Sequence, residues 1–223
     1  MGIVIAIDGP AGAGKSTLAR QLAAQLSFTY IDTGAMYRAL ALWAIRTNLD
    51  ITDMHRMEQL ADAAQIELEP VANRVRLNGE DVTEEIRTPA VSEAASQIAP
   101  IPAVRRSMVA KQRAIAEQAN VVMEGRDIGT VVFPEAQVKI FLDADAGERT
   151  RRRVDQFGQF AEAEAVASEM AQRDARDRTR AEAPLAQAPD AVYVDSTDLS
   201  IAEVVEALLK VVRTKTANGK GYH

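Results

Sequence analysis

The sequence contains no cysteine. Disulfides and thiolate metal sites are therefore excluded, and a reducing cytosol is the compartment expected. The two histidines, His55 and His223, lie far apart in the chain. A histidine-built metal site is not expected, and both read as solvent-exposed residues. Aromatics make up 4% of the chain against 47% hydrophobic residues in total, so the core must be built mainly from Ala, Val, Leu and Ile. Positive charge is not in excess either: 26 basic and 32 acidic residues leave a net charge of −6. That balance disfavours a general nucleic-acid binder or a protein of anionic membrane surfaces, while leaving room for a local basic cleft. No apolar run approaches the roughly 20 residues needed to cross a bilayer, and no signal-peptide pattern opens the chain.

What is present is an alternation of strand and helix signals in 223 residues, a length suited to one compact domain carrying an insertion. IVIAI (3–7), FTYID (28–32), NVVME (120–124), VKIFLD (138–143) and AVYVD (191–195) read as short apolar strands. Helices are expected over 15–26, 35–46 and 201–212, the last with Ser200 as N-cap. Five continuous apolar strands separated by helices imply a parallel sheet covered on both faces. One segment departs from this. IELEP (66–70) and RVRLNGEDVT (74–83) alternate polar and apolar residues, and Asn78-Gly79 is a hairpin-turn signal. Residues 66–100 therefore read as a small antiparallel α+β insertion, in a core formed by 1–65 and 101–213. The segment 214–223 is polar and Gly-containing and reads as a disordered tail.

Between the first strand and the first helix lies DGPAGAGKST (8–17). Gly9, Gly14, Lys15 and Ser16 satisfy the phosphate-loop pattern, in the required strand–loop–helix context. Backbone N–H groups of Gly9, Pro10's successor Ala11, Gly12, Ala13, Gly14, Lys15, Ser16 and Thr17 can converge on phosphate oxygens, and the helix adds its positive end. Lys15 can reach the β- and γ-phosphates of ATP and Ser16 can ligate Mg²⁺. The pattern specifies nucleotide binding and is silent on the reaction.

The 26 basic residues divide into 20 Arg and 6 Lys, and eight of the arginines fall between Arg149 and Arg180. They form two clusters, ERTRRR (148–153) and QRDARDRTR (172–180), each on an expected helix, with DQFGQF (155–160) as the turn between them. Arg173, Asp177 and Arg180 are spaced to share one helical face. A salt-bridged solvated face is the plain reading. Downstream of a phosphate loop, the sharper one is a lid over about 147–180 that folds over ATP, excludes water and supplies arginine to the transferring group. Lys15, Arg149, Arg153, Arg173 and Arg180 are the candidates for charge stabilisation.

DGPAGAGKST, IDTGAMYR (31–38), EIRT (85–88), EGRDIGTVVFP (124–134), KIFLDA (139–144) and RDARDRTR (173–180) follow in the order seen in bacterial cytidylate kinases, and the chain resembles that family nearly end to end. The resemblance implies an α/β P-loop fold of the nucleoside monophosphate kinases: a five-stranded parallel sheet, an acceptor-binding insertion and a helical lid. It implies transfer of the γ-phosphoryl group of Mg·ATP to CMP or dCMP. At the matching positions, Thr33 lies near the acceptor sugar, and Arg38 and Arg126 hold the CMP phosphate. Ser96, Arg105 and Asp127 contact cytosine. Arg173, Asp177 and Arg180 reach the sugar and the phosphates from the lid.

Chemistry agrees with these placements. Arginines would offset the repulsion between two phosphates, making Arg126 a catalytic candidate as well. Asp127 can accept from the cytosine amine, whereas uracil would face it with a second acceptor, at a cost of about 1–3 kcal/mol. Each residue also has a plain structural reading. Thr33 can cap the following helix, Arg38 can be a surface residue, Ser96 can be a packing residue, and either Arg105 or Arg106 can face a site. Glu124, at the end of NVVME, is the Mg²⁺-orienting carboxylate implied by the family pattern. Asp143 competes for that role, although an N-cap for the lid's first helix is the preferred reading of it. The alternatives are a P-loop kinase for UMP, AMP or shikimate, a nucleotide-dependent switch, or an ATPase on nucleic acid. A monomer acting on small molecules, with no nucleic acid or membrane partner, is the expectation.

Overall fold

The structure is a computed structural model and describes residues 2–157 and 162–217. The chain forms two compact units: Met1–Tyr30 with Ala119–His223, and Ile31–Gln118.

The chain opens with β1 (Val4–Asp8), a five-residue strand buried throughout. Then α1 (Lys15–Leu26) turns Leu18 and Leu22 into the core, and β2 (Thr29–Asp32) follows, crossing the boundary between the units.

The second unit starts with α2 (Thr33–Arg46), whose N-cap is Asp32, accepting the Ala35 N–H at 2.8 Å. Next come α3 (Met54–Ala63), β3 (Ile66–Glu69), β4 (Arg74–Leu77) and β5 (Glu80–Asp81). These three strands form an antiparallel sheet in the order β3-β4-β5. Asn78 and Gly79 both take positive φ, 52° and 85°, the turn that matches strand twist in a tight hairpin. The unit closes with α4 (Pro89–Ile98), capped by Thr88 with Pro89 at its start, and α5 (Pro102–Gln118). Its core includes Met36, Leu40, Met57, Ile86, Ile98 and Met108. This compact unit extends on both sides of the 66–100 segment.

The chain returns to the first unit with β6 (Val121–Gly125), a π-helical turn at Ile128–Val132, and β7 (Val138–Asp143). It continues through α6 (Ala146–Phe157), α7 (Ala163–Thr179), β8 (Val192–Asp195) and α8 (Ile201–Ala217). The main sheet has the order β2-β6-β1-β7-β8, with β1 parallel to β6 and β7, and β8 parallel to β7. The expected five-stranded sheet is thus present. A core cluster joins Ile5, Ile7, Leu18, Leu22, Val122 and Ile140 to Val204, Val205 and Leu208 of α8. Ser200 and Glu203 cap α8 reciprocally, Ser200 Oγ taking the Glu203 N–H and Glu203 taking the Ser200 N–H.

Three local expectations need correction. The segment 155–157 is the last part of α6 rather than a turn; 158–160 lie outside the described residues. Helix α8 passes Val212 and runs to Ala217, its last turns braced by Thr214 and Thr216 hydroxyls donating to the Lys210 and Val212 carbonyls. The rest of the expected tail, 218–223, lies outside the described residues, as does His223. At the start of α6, the side chain that accepts a first-turn amide is Asp145, from Gly147 at 2.8 Å. Asp143 accepts from Ala144 instead and faces Arg149 at 3.9 Å, so it is not the cap. No helix among the described residues is long and apolar enough to cross a membrane.

Candidate active site

The loop between β1 and α1 is shaped by close approach to β7. Gly9 has φ 153°, and a Cβ there would fall 1.9 Å from the Leu142 carbonyl oxygen, so no other residue fits. At its far end Gly14 is the N-cap of α1 and supplies no side-chain bond, which leaves the first amides of the helix for a ligand. Lys15 is buried and donates from Nζ to the Pro10 carbonyl at 2.6 Å. Burial, with the positive charges of Arg126 and Arg173, brings its pKa down to about 7 against the opposing pull of Glu124 and Asp8. A lysine so crowded by cations sits in a positive potential that a polyphosphate would relieve.

Helices α6 and α7 both bond to this loop. Arg149 of α6 donates to the Ala11 carbonyl at 2.9 Å and to Asp174 of α7 at 2.5 Å. Asp174 in turn accepts the Ala11 N–H at 3.3 Å. Arg152 donates to the Ala13 carbonyl at 3.4 Å, to Ser196 Oγ at 3.0 Å and to the Ser196 carbonyl at 2.6 Å, while Glu148 braces it at 2.7 Å. Arg153, by contrast, donates to Gln156 at 3.2 Å on its own helix. Arg149 and Arg152 both reach the loop backbone. Sequence reasoning missed Arg152, although its spacing of three from Arg149 is a signal for a shared face.

Behind the loop, β6 delivers Glu124, Arg126 and Asp127. Glu124 is buried and its Oε1 accepts the Tyr30 hydroxyl at 2.5 Å. Arg126 donates from Nε to Asp177 at 2.8 Å. Burial opposes ionisation of Asp177, but the charge and hydrogen bond of Arg126, with Arg173 and Arg180, outweigh it and hold the carboxyl below its ordinary range. Arg180 reaches Asp127 at 3.3 Å. It does so from outside the helix: α7 ends at Thr179, and Arg180 is extended, with φ −62° and ψ 139°. The expected common helical face thus holds for Arg173 and Asp177 but not for Arg180. The first unit accordingly brings Lys15, Glu124, Arg126, Asp127, Arg173, Asp177 and Arg180 into one charged network.

The second unit carries the other site candidates. Thr33 begins α2 and is buried, while the capping belongs to Asp32, which also pairs with Arg38 at 3.0 Å. Ser96 lies on the inner face of α4, and its buried hydroxyl has no hydrogen-bond partner. Of the two adjacent arginines on α5, Arg105 is buried and donates weakly to the Ala99 carbonyl at 3.5 Å. Arg106 reaches Glu58 at 2.9 Å with its side chain 67% exposed, which makes it the surface member of the pair.

A family model, cytidylate kinase, matches residues 5–214. The chain belongs to the cytidylate kinase family. It is 64% identical over 225 residues to the cytidylate kinase of Solibacter usitatus, covering 99% of this chain and 96% of that one. The cytidylate kinases of Pelotomaculum thermopropionicum and Caldanaerobacter subterraneus are 51% and 49% identical, covering 92% and 96% of this chain and 93% and 96% of theirs. The enzyme is thus a nucleoside monophosphate kinase, which moves the γ-phosphoryl group of ATP to CMP or dCMP.

Proposed function

We propose that Mg·ATP is held by Gly9, Gly12, Gly14, Lys15, Ser16 and Thr17, and that the acceptor is read by the side chains named below. The observation that carries this reading is the buried Lys15 crowded by Arg126 and Arg173, a positive site suited to several phosphate groups. Ser16 and Glu124 offer hydroxyl and carboxylate oxygens, the hard donors Mg²⁺ prefers, and Tyr30 orients Glu124; these residues fit the ion. Held by Ser16 and Glu124, Mg²⁺ would supply positive charge to offset the negative charge of the phosphates.

Lys15, Arg126, Arg149, Arg153, Arg173 and Arg180, with Arg152 added from the structure, neutralise charge around the transferring group and need form no covalent intermediate. Arg126 and Arg38 take the CMP phosphate. Asp127, held by Arg180, accepts from the exocyclic amine of cytosine, and Arg105 and Ser96 meet the ring's polar edge. The unpartnered Ser96 hydroxyl supports that role, since a buried hydroxyl normally has a partner. Thr33 and Asp177 meet the ribose. The lid helices α6 and α7 keep water from the γ-phosphoryl group. The enzyme acts as a monomer in the cytoplasm, on small molecules rather than on nucleic acid or membrane, in keeping with its net charge of −6.

The test is ADP release from Mg·ATP with CMP, dCMP, UMP, AMP, GMP or no acceptor. Fast turnover with CMP and dCMP and slow turnover with the rest is expected. Equal rates with CMP and UMP would overturn the role given to Asp127, and turnover unchanged by EDTA would overturn the role given to Mg²⁺.

A further inference from the structure

Asp8 ends β1, one residue before the phosphate loop, and has no part in the chemistry above. It is 4% exposed, yet both of its carboxylate oxygens are engaged. Oδ1 accepts the Ile128 N–H at 2.8 Å and Oδ2 accepts the Gly129 N–H at 2.7 Å. These two amides open the π-helical turn that directly follows Arg126 and Asp127. Strand register puts Asp8 opposite Gly125, so the chain leaving β6 passes beside this carboxylate.

The far side of the turn is fixed as well. A Cβ on Gly129 would lie 3.2 Å from both Cγ and Cδ of Lys139 and 3.4 Å from Asp8 Oδ2. Glycine leaves room there for the lysine stem and the carboxylate together. Lys139 is anchored in turn by Asp190 at 2.9 Å and by the Pro134 carbonyl. Burial raises the Asp8 pKa to about 6 despite the two amides, so an ionised carboxylate is kept here against its desolvation cost. An Asn of the same shape would turn an NH₂ toward one of the two N–H groups and leave that amide without an acceptor.

We propose that Asp8 is a positioning residue for the acceptor: it fixes the Arg126–Asp127 turn to the strand that feeds the phosphate loop, so the groups for donor and acceptor keep one register. The inference rests on the reading that Arg126 and Asp127 meet CMP. Misplacement of a binding group by about 1 Å can cost on the order of a hundredfold in rate.

Asp8→Asn is therefore expected to lower kcat/KM for CMP by about ten- to a hundredfold. The preference for CMP over UMP should shrink, while the Kd for ATP, measured by direct titration, stays close to that of the wild type. Gly129→Ala keeps the carboxylate and disturbs the same turn from its other face; it should give the same signature and carries the test if Asp8→Asn does not fold. In an Asp127→Ala background, Asp8→Asn should remove no further selectivity. Parallel losses for CMP, UMP and ATP, or a lower Tm with selectivity intact, would mean that Asp8 serves the fold alone and would overturn the proposal. A wild-type enzyme indifferent between CMP and UMP would instead overturn the Asp127 reading, and this inference with it.

Discussion

Asp174 of α7 accepts the Ala11 N–H of the phosphate loop at 3.3 Å, so this helix is tied to the backbone that would cradle the donor. The same carboxylate pairs with Arg149 at 2.5 Å, both side chains being 11% exposed. Asp174→Ala would leave a buried guanidinium without its carboxylate, at a cost on the order of 3 kcal/mol. A lower urea midpoint is expected. The lid should also seal less well, so ADP release in the absence of any acceptor should rise. An unchanged midpoint would show that the pair contributes little.

The lowered pKa of Lys15 makes donor binding a proton-linked event. Burial and neighbouring cations bring it from 10.5 to about 7. Between those values the unfolded chain keeps the proton and the folded one sheds it, so this group's contribution to stability grows as pH rises through the window and is smallest below about 7. A bound polyphosphate favours the ammonium, so ATP binding near pH 8 should take up a proton. Calorimetry in buffers of different ionisation enthalpy measures this uptake directly. Lys15→Arg should abolish it, because arginine stays charged.

Asp127→Ala should cost CMP more than UMP. The expected drop in kcat/KM for CMP corresponds to about 1–3 kcal/mol, with UMP and the ATP Kd changing less. A uniform loss across acceptors and donor would assign Asp127 to holding Arg180 rather than to reading the base.

Arg152→Ala removes bonds to Ala13 and Ser196 and should raise the KM for ATP about tenfold, the scale of a charged hydrogen bond. Arg153→Ala removes a bond to Gln156 on the same helix and should raise that KM less than Arg152→Ala does. The opposite ranking in steady-state kinetics would return the donor role to Arg153.

Features that depend on a few consecutive residues were legible in the sequence. The strand at IVIAI is a continuous apolar run and VKIFLD is one closed by an acid, the phosphate loop is a fixed spacing of glycines before a lysine, and Asn78-Gly79 is a hairpin-turn signal. Features that depend on what lies across space were not. Asp143 and Asp145 both precede α6, and spacing alone did not say which one bonds the first turn. Arg180 lies seven residues from Arg173, but α7 stops one residue short of it. Asp8 reads only as the first residue of the phosphate-loop stretch until Ile128 and Gly129, 120 and 121 residues away, present their amides to it. Buried polar pairings of this kind carry no local periodicity and so no local signal.

The Leu142 carbonyl stands where any side chain at position 9 would have to go. Substitution at that position would act on the sheet before it acts on the nucleotide. In a library covering every amino acid at codon 9, the losses should therefore appear as reduced cellular abundance, whereas a library at codon 16 should yield abundant protein with impaired turnover.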